Sequence, residues 1–206
     1  MISSHVLDRG MRGILEVHVE RSFRILFLLL WTFWALIAHT ASDAIESADQ
    51  LWVGMKMFPT MVSGDTRLDK KLGEDGKLLL LIVYRDNTTL AETVVTRLGR
   101  IANKINEHPL RIEATSTFNF ESWQSTPVAG IFVAEPLPES QRLQVIQFGI
   151  AHHLVTFSSF ADDVKDGMLA GIYVSGKIRP ALNLRTLKAS GIQYNTLILN
   201  IAKTYD

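Results

Sequence analysis

The chain has 206 residues, with 21 Lys plus Arg balanced by 21 Asp plus Glu, and no cysteine. Even charge gives no bulk electrostatic reason to expect nucleic acid or an anionic membrane as partner. The absence of cysteine excludes disulfide staples and thiol chemistry.

The first feature along the chain is the apolar run Ile25 to Ala38, preceded by Arg21 and Arg24 and followed by Ser42-Asp43-Ala44. A basic start, a short apolar centre and a small-x-small exit are the parts of a secretory signal peptide. The run is short of the roughly 20 apolar residues that a permanent membrane helix needs. The expectation is therefore a leader over residues 1–44, cleaved after Ala44, with Met11 as an alternative start. Residues 45–206 then form one exported domain. Such a protein works outside the inner membrane, in the periplasm, without cytoplasmic nucleotides.

Lys77 to Tyr84 is nearly all apolar, as expected of a strand buried on both faces of a parallel sheet. Asn87 or Thr88 then caps a helix carrying Leu90, Val94, Leu98, Ile101 and Ile105, ended by Pro109. Leu110 to Thr115 reads as a second strand, and Phe118 to Gln124 as irregular or a short helix. Val128 to Ala134 is a third buried strand. Pro138-Glu139 opens a helix to about His152, with Leu143, Ile146 and Ile150 on one face. Leu154 to Phe157 is a fourth strand. After Ser158 the pattern changes: a helical turn over Phe160 to Met168, a hairpin from Ala170–Ser175 and Lys177–Leu182, and a helix from Leu184 to Ser190. Asn183 caps that helix and Gly191 stops it. Tyr194 to Tyr205 reads as a closing helix. Alternating strands and helices predict an α/β fold: a three-layer α/β/α sandwich with a mostly parallel sheet and a C-terminal hairpin plus helices.

No cluster points to catalysis. His152 and His153 are adjacent and point about 100° apart on a helix, so one metal rarely takes both. Asp162, Asp163 and Asp166 lack the glycine and closing glutamate of a calcium loop. Ser158 and Ser159 lack a nucleophile elbow, and Asn87-Thr88-Thr89 is explained as a helix cap as readily as a glycosylation triplet. Neither a catalytic residue nor a cofactor or metal site is expected. Open parallel sheets bind ligands beyond the carboxyl ends of their strands, where strand order reverses. Those ends are Arg85-Asp86-Asn87, Glu135-Pro136 and Ser158-Ser159-Phe160, and the default singles out Arg85, Asp86, Ser158 and Ser159 as contacts. Trp52, Met55, Met57 and Phe58, near the start of the exported domain, form either a contact surface or an amphipathic helix on the core.

The segments Gly171 to Arg179, Asn183-Leu184, Ala189-Ser190-Gly191-Ile192 and Leu197 to Ala202 resemble the YfiR/HmsC-like family of periplasmic regulators. The family has a hairpin bearing an arginine there, an Asn-Leu helix opening, a glycine stop and a Leu-Leu-x-x-Ala tail. Trp52 to Pro59 is similar to its aromatic helix ending in Trp-Pro, with Phe58-Pro59 in that place, and Ala129 to Val133 to one of its strands. The resemblance implies a periplasmic α/β protein that represses an inner-membrane diguanylate cyclase by touching its outward-facing domain, and so affects biofilm formation. It adds Arg179, alongside Trp52 and Phe58, as a partner contact, and leaves a homodimer open. Two departures matter. Without cysteine the family's redox sensing is excluded, and Tyr194-Asn195-Thr196 replaces a Ser-Ser-Lys-like segment. The alternative expectation is a single-lobe periplasmic small-molecule-binding protein serving a sensor or transporter, although such proteins usually have two lobes and a hinge.

Overall fold

In the computed structural model the described residues are 49–206 except 176. The expected leader, its cleavage after Ala44 and the start at Met11 lie outside them. The sheet has eight strands in the order β2-β3-β1-β4-β5-β6-β7-β8. These are β1 (Leu78–Val83), β2 (Lys104–Ile105), β3 (His108–Thr115), β4 (Gly130–Val133), β5 (Val155–Ser158), β6 (Ala170–Ser175), β7 (Lys177–Asn183) and β8 (Lys203–Tyr205). Strands β3, β1, β4, β5 and β6 run parallel, and β2 and β7 are antiparallel to their inner neighbours. The fold is the expected mostly parallel α/β sandwich.

All six residues of β1 are buried. Because successive side chains alternate between faces, Leu78, Leu80 and Ile82 enter one core and Leu79, Leu81 and Val83 the other. The first core is covered by helix α1, helical over residues 49–63, and by α2 (Thr88–Ile101). The second is covered by α3 (Glu139–Ala151) and by Phe118 and Phe120. The remaining helices are α4 (Leu184–Ser190) and α5 (Thr196–Ile201).

Helix α1 lies close on the sheet. Phe58 is fully buried, with ring centroids 5.4 Å from Phe132 and 5.8 Å from Phe157. A Cβ on Gly130 would stand 2.8 Å from Val62 and 3.1 Å from Phe58, so only glycine admits the helix at this depth. The helix does not end at Phe58-Pro59 but runs through to residue 63. Pro59 forfeits one backbone hydrogen bond, while Met61 and Val62 beyond it are fully buried and hold the last turn down.

Other sequence expectations need correcting. The second helix stops at Ile101, and Ile105 belongs to β2. On α3 the buried line is Val145, Ile146, Phe148 and Gly149, whereas Leu143 is exposed. Leu143 sits two residues from Val145, about 200° around the helix, so both cannot face the sheet. The closing helix is only α5, and the chain then turns into β8 alongside β7. By contrast, Asn183 accepts from Thr186 N at 2.9 Å as the cap of α4, and Gly191 stops that helix at φ 63°, as read from sequence.

Truncating Phe58 leaves a cavity beside the Phe132 and Phe157 rings, so Phe58→Ala should cost about 3–5 kcal/mol in denaturant unfolding. Leu143→Ala, already in water, should stay within about 0.5 kcal/mol.

Candidate functional site

Strand β1 leads through α2 to β3 on one side, while β4, β5 and β6 lie on the other. The order therefore reverses at the β1/β4 boundary, and the crevice at their carboxyl ends is the expected ligand position. Three groups of residues gather along this carboxyl edge.

The first group fills the crevice from within. The backbone N–H groups of Arg85, Asp86 and Asn87 all donate to Oε1 of Glu135, at 2.5, 2.7 and 3.1 Å. Asn87 in turn caps α2, its Oδ1 accepting from Leu90 N at 2.9 Å. Consecutive N–H groups leading into a helix N-terminus make a seat for a negative charge. Here the chain's own carboxylate, from the loop after β4, takes that seat. The Arg85 side chain pairs with the neighbouring Asp86 carboxylate, both well exposed.

The second group lies at the end of β5. Ser158 is fully buried and donates to Asp163 at 2.5 Å, while its oxygen accepts from Phe160 N at 3.2 Å. Arg142 of α3 reaches Asp163 at 3.5 Å and Asp166 at 2.9 Å, and Asp162 pairs with Lys165. Asn183 Nδ2 donates to Val164 O at 2.8 Å, and Thr186 Oγ1 to Gly167 O at 2.7 Å. This network clamps the 159–169 loop at the root of β6. Burial raises the Asp163 pKa, opposed by the Ser158 hydrogen bond and the Arg142 charge, with Asp166 and Asp162 adding to the rise. Ser159 is buried too, with its hydroxyl unpartnered. It lies against α1, where a Cβ on Gly54 would come within 1.8 Å of its Oγ.

The third group is an arm. Strand β5 ends at Ser158, opposite Gly171, and β8 begins at Lys203, opposite Ala181. Beyond those points β6 and β7 pair only with each other, from Ile172↔Pro180 to Ser175↔Lys177. Four residues at about 3.4 Å each carry this ribbon about 13 Å past the end of β5. Val174 and Ile178 sit opposite one another, 55% and 49% exposed. Arg179 lies over the Tyr173 ring at 5.4 Å.

The structure thus places Arg85, Asp86, Ser158, Ser159 and Arg179 along one sheet edge, but it does not converge their side chains on one point. Phe58 is a core residue and offers no surface. Trp52 is half-buried, with the Arg97 guanidinium 4.1 Å from its ring centroid. Met55 is buried, so for Phe58 and Met55 the amphipathic-helix reading holds. The histidines separate: His152 contacts Gln124, His153 contacts Ser190 O, and His108 contacts Asp69. Among the described residues no three His, Cys, Asp or Glu gather as metal ligands.

Sequence reasoning placed Glu135 at a strand end but missed its bonds to the 85–87 backbone, and it missed the pairing of Asp163 with Arg142. Glu135-Pro136 was legible as a strand end, and an acid there faces the neighbouring helix start. Asp163 carried no such signal, because its partner comes from a helix 21 positions earlier in the sequence.

No family model matches the chain, and neither does any curated protein. Among solved structures it is similar to an ABC domain from Streptococcus pneumonia in complex with L-Trp. Identity is 13% and the TM-score 0.48, over 70% of this chain and 62% of that one. It is also similar to the ligand-free, open structure of a substrate binding protein with adhesive properties from Clostridium difficile. There identity is 16% and the TM-score 0.47, over 68% and 58%. The chain spans about three fifths of the length of these solved chains. No described helix is long and apolar enough to cross a membrane.

Two outcomes follow from these contacts. Glu135→Ala removes the shared acceptor of three exposed N–H groups, which water then re-solvates, and should cost about 0.5–1.5 kcal/mol while speeding amide exchange at residues 85–87. A folded-state pKa raised above the unfolded value of 3.8 means that Asp163 favours folding most below that value. The contribution is lost as pH rises through the folded value. The stability of Asp163→Asn relative to wild type should therefore increase with pH across that window, as read by urea unfolding.

Proposed function

We propose that the exported chain is a regulator that works by contact, holding the outward-facing domain of an inner-membrane diguanylate cyclase in its inactive state. The observation that carries this reading is the outer face of α5. Leu197 and Ile201, four residues apart, are 69% and 46% exposed, and Leu199 is 39% exposed, while Ile198 is buried. A six-residue helix that turns Leu197 and Ile201 to water on one side, with Leu199 half-exposed on another, is arranged to be covered. The same segment, Leu197 to Ala202, carries part of the resemblance to the YfiR/HmsC-like regulators. At the carboxyl edge, by contrast, the anion seat is self-filled and the buried carboxylate is already paired, which offers little to a reaction. Repression by contact requires the regulator to bind the inactive cyclase more tightly than the active one. A complete switch takes about a 10⁴-fold difference.

The second reading is a single-lobe small-molecule-binding protein. It is favoured by the exposed Arg85–Asp86 pair at the strand-order reversal, with the arm standing on the same edge.

Loss of the gene should raise cellular cyclic di-GMP and biofilm. Leu197→Asp/Ile201→Asp should reproduce that rise without lowering the unfolding midpoint, because both side chains already face water. Unchanged cyclic di-GMP in both strains, together with a thermal shift on a periplasmic metabolite, would replace the first reading by the second.

A further inference from the structure

The arm has two unlike faces. Residues paired directly across an antiparallel ribbon share a face. Ile172, Val174, Ile178 and Pro180 therefore form one side, and Tyr173, Ser175, Lys177 and Arg179 the other. Toward the root, Pro180 is buried and Ile172 packs on the first core, so the apolar face is anchored below and bare above. Toward the tip, Lys177 and Arg179 are exposed, and no Asp or Glu occurs from Ala170 to Asn183. Their charge is not neutralised by any ion pair within the ribbon, and Arg179 instead rests on Tyr173.

We propose that the arm docks on an anionic lipid surface, with Val174 and Ile178 entering the headgroup–acyl boundary and Lys177 and Arg179 engaging lipid phosphates. An apolar face backed by basic side chains and an aromatic ring is the pattern of segments that lie in a membrane interface. The attraction is local: the whole chain is neutral, with 21 basic and 21 acidic residues, but the ribbon is purely cationic. Two basic residues and two aliphatics give weak, reversible attachment, since each basic side chain near an anionic surface contributes about fivefold in partition, about 1 kcal/mol. A protein groove that buried this ribbon would have to supply both carboxylates and apolar surface. A lipid surface supplies phosphate above hydrocarbon in that order of depth, matching basic groups that reach outward from an inserted aliphatic pair.

The chain has no cysteine, so Ser175→Cys carries the sole thiol, at the tip of the arm. An environment-sensitive dye on it should shift to the blue on phosphatidylcholine vesicles containing phosphatidylglycerol, but not on pure phosphatidylcholine, and high salt should reverse the shift. Adding Lys177→Gln/Arg179→Gln should weaken partition roughly thirtyfold. Val174→Asp/Ile178→Asp should abolish the blue shift. The same dye on Glu92→Cys, in α2, should stay silent, which separates arm docking from adsorption of the apolar run Ile25 to Ala38. A dye at position 175 that remains water-exposed on anionic vesicles would overturn the proposal and leave the apolar face to a protein. An equal response at position 92 would overturn it as well. Neither result bears on cyclase repression, which the Leu197 and Ile201 variants test separately.

Discussion

The seating of α1 on the sheet is the constraint from which the remaining geometry follows. Phe58 packs tilted against Phe132 and Phe157, Gly54 lets α1 come close over Ser159 and Phe157, and Gly130 leaves room for the side chains of Val62 and Phe58. That approach closes the first core. It also places Ser159 beneath α1, fixing the direction in which the chain leaves β5. On the opposite face the same closeness recurs, where a Cβ on Gly149 would come 2.3 Å from Thr156 of β5. Strand β5 is thus pinned from both sides, and the loop that leads to the arm starts from a rigid base.

From that base, polar contacts take over from packing. Ser158 and Arg142 hold Asp163, and Asn183 and Thr186 hold the next turns of the same loop by its carbonyl oxygens. Asn183 therefore serves two elements at once: its Oδ1 caps α4 and its Nδ2 secures the loop. This double use explains why Asn is required at the β7–α4 junction, since Asp would offer a second acceptor where a donor is needed. At the strand-order reversal Glu135 plays a comparable part. One carboxylate oxygen replaces the anion that such a crevice could otherwise take, and it joins the β1–α2 loop to the β4–α3 loop.

The fold was legible because its signals are local. The six consecutive aliphatics of β1, the Asn87 and Asn183 caps and the Gly191 stop each depend on a few neighbouring residues, and each appears in the structure. The misplaced elements lack that property. Leu143 fitted a helical stripe, but so did Val145 and Phe148, and only the sheet decides which line is buried. Lys203 to Tyr205 continued an apolar helical pattern that the pairing with β7 overrides. Phe58 illustrates the limit for function: an aromatic near the start of a domain reads equally well as a contact or as a core wedge, and two rings from distant strands settle it. The partners of Glu135 and Asp163 were invisible for the same reason, because hydrogen-bond partners far apart in sequence leave no periodic trace.

The two exposed surfaces of the C-terminal module are related by register. Strand β8 runs parallel to β7 with Lys203 beside Ala181, and α5 ends at Ile201, just before β8 begins. Helix α5 also packs against β7. A molecule resting on lipid by its arm would therefore hold the aliphatic face of α5 within a few residues' length of the membrane surface. An inner-membrane signalling protein exposes the segment just outside its membrane-spanning part at that height. On the proposed reading, attachment to the surface would raise the local concentration of the chain near a membrane partner without adding a single contact to it.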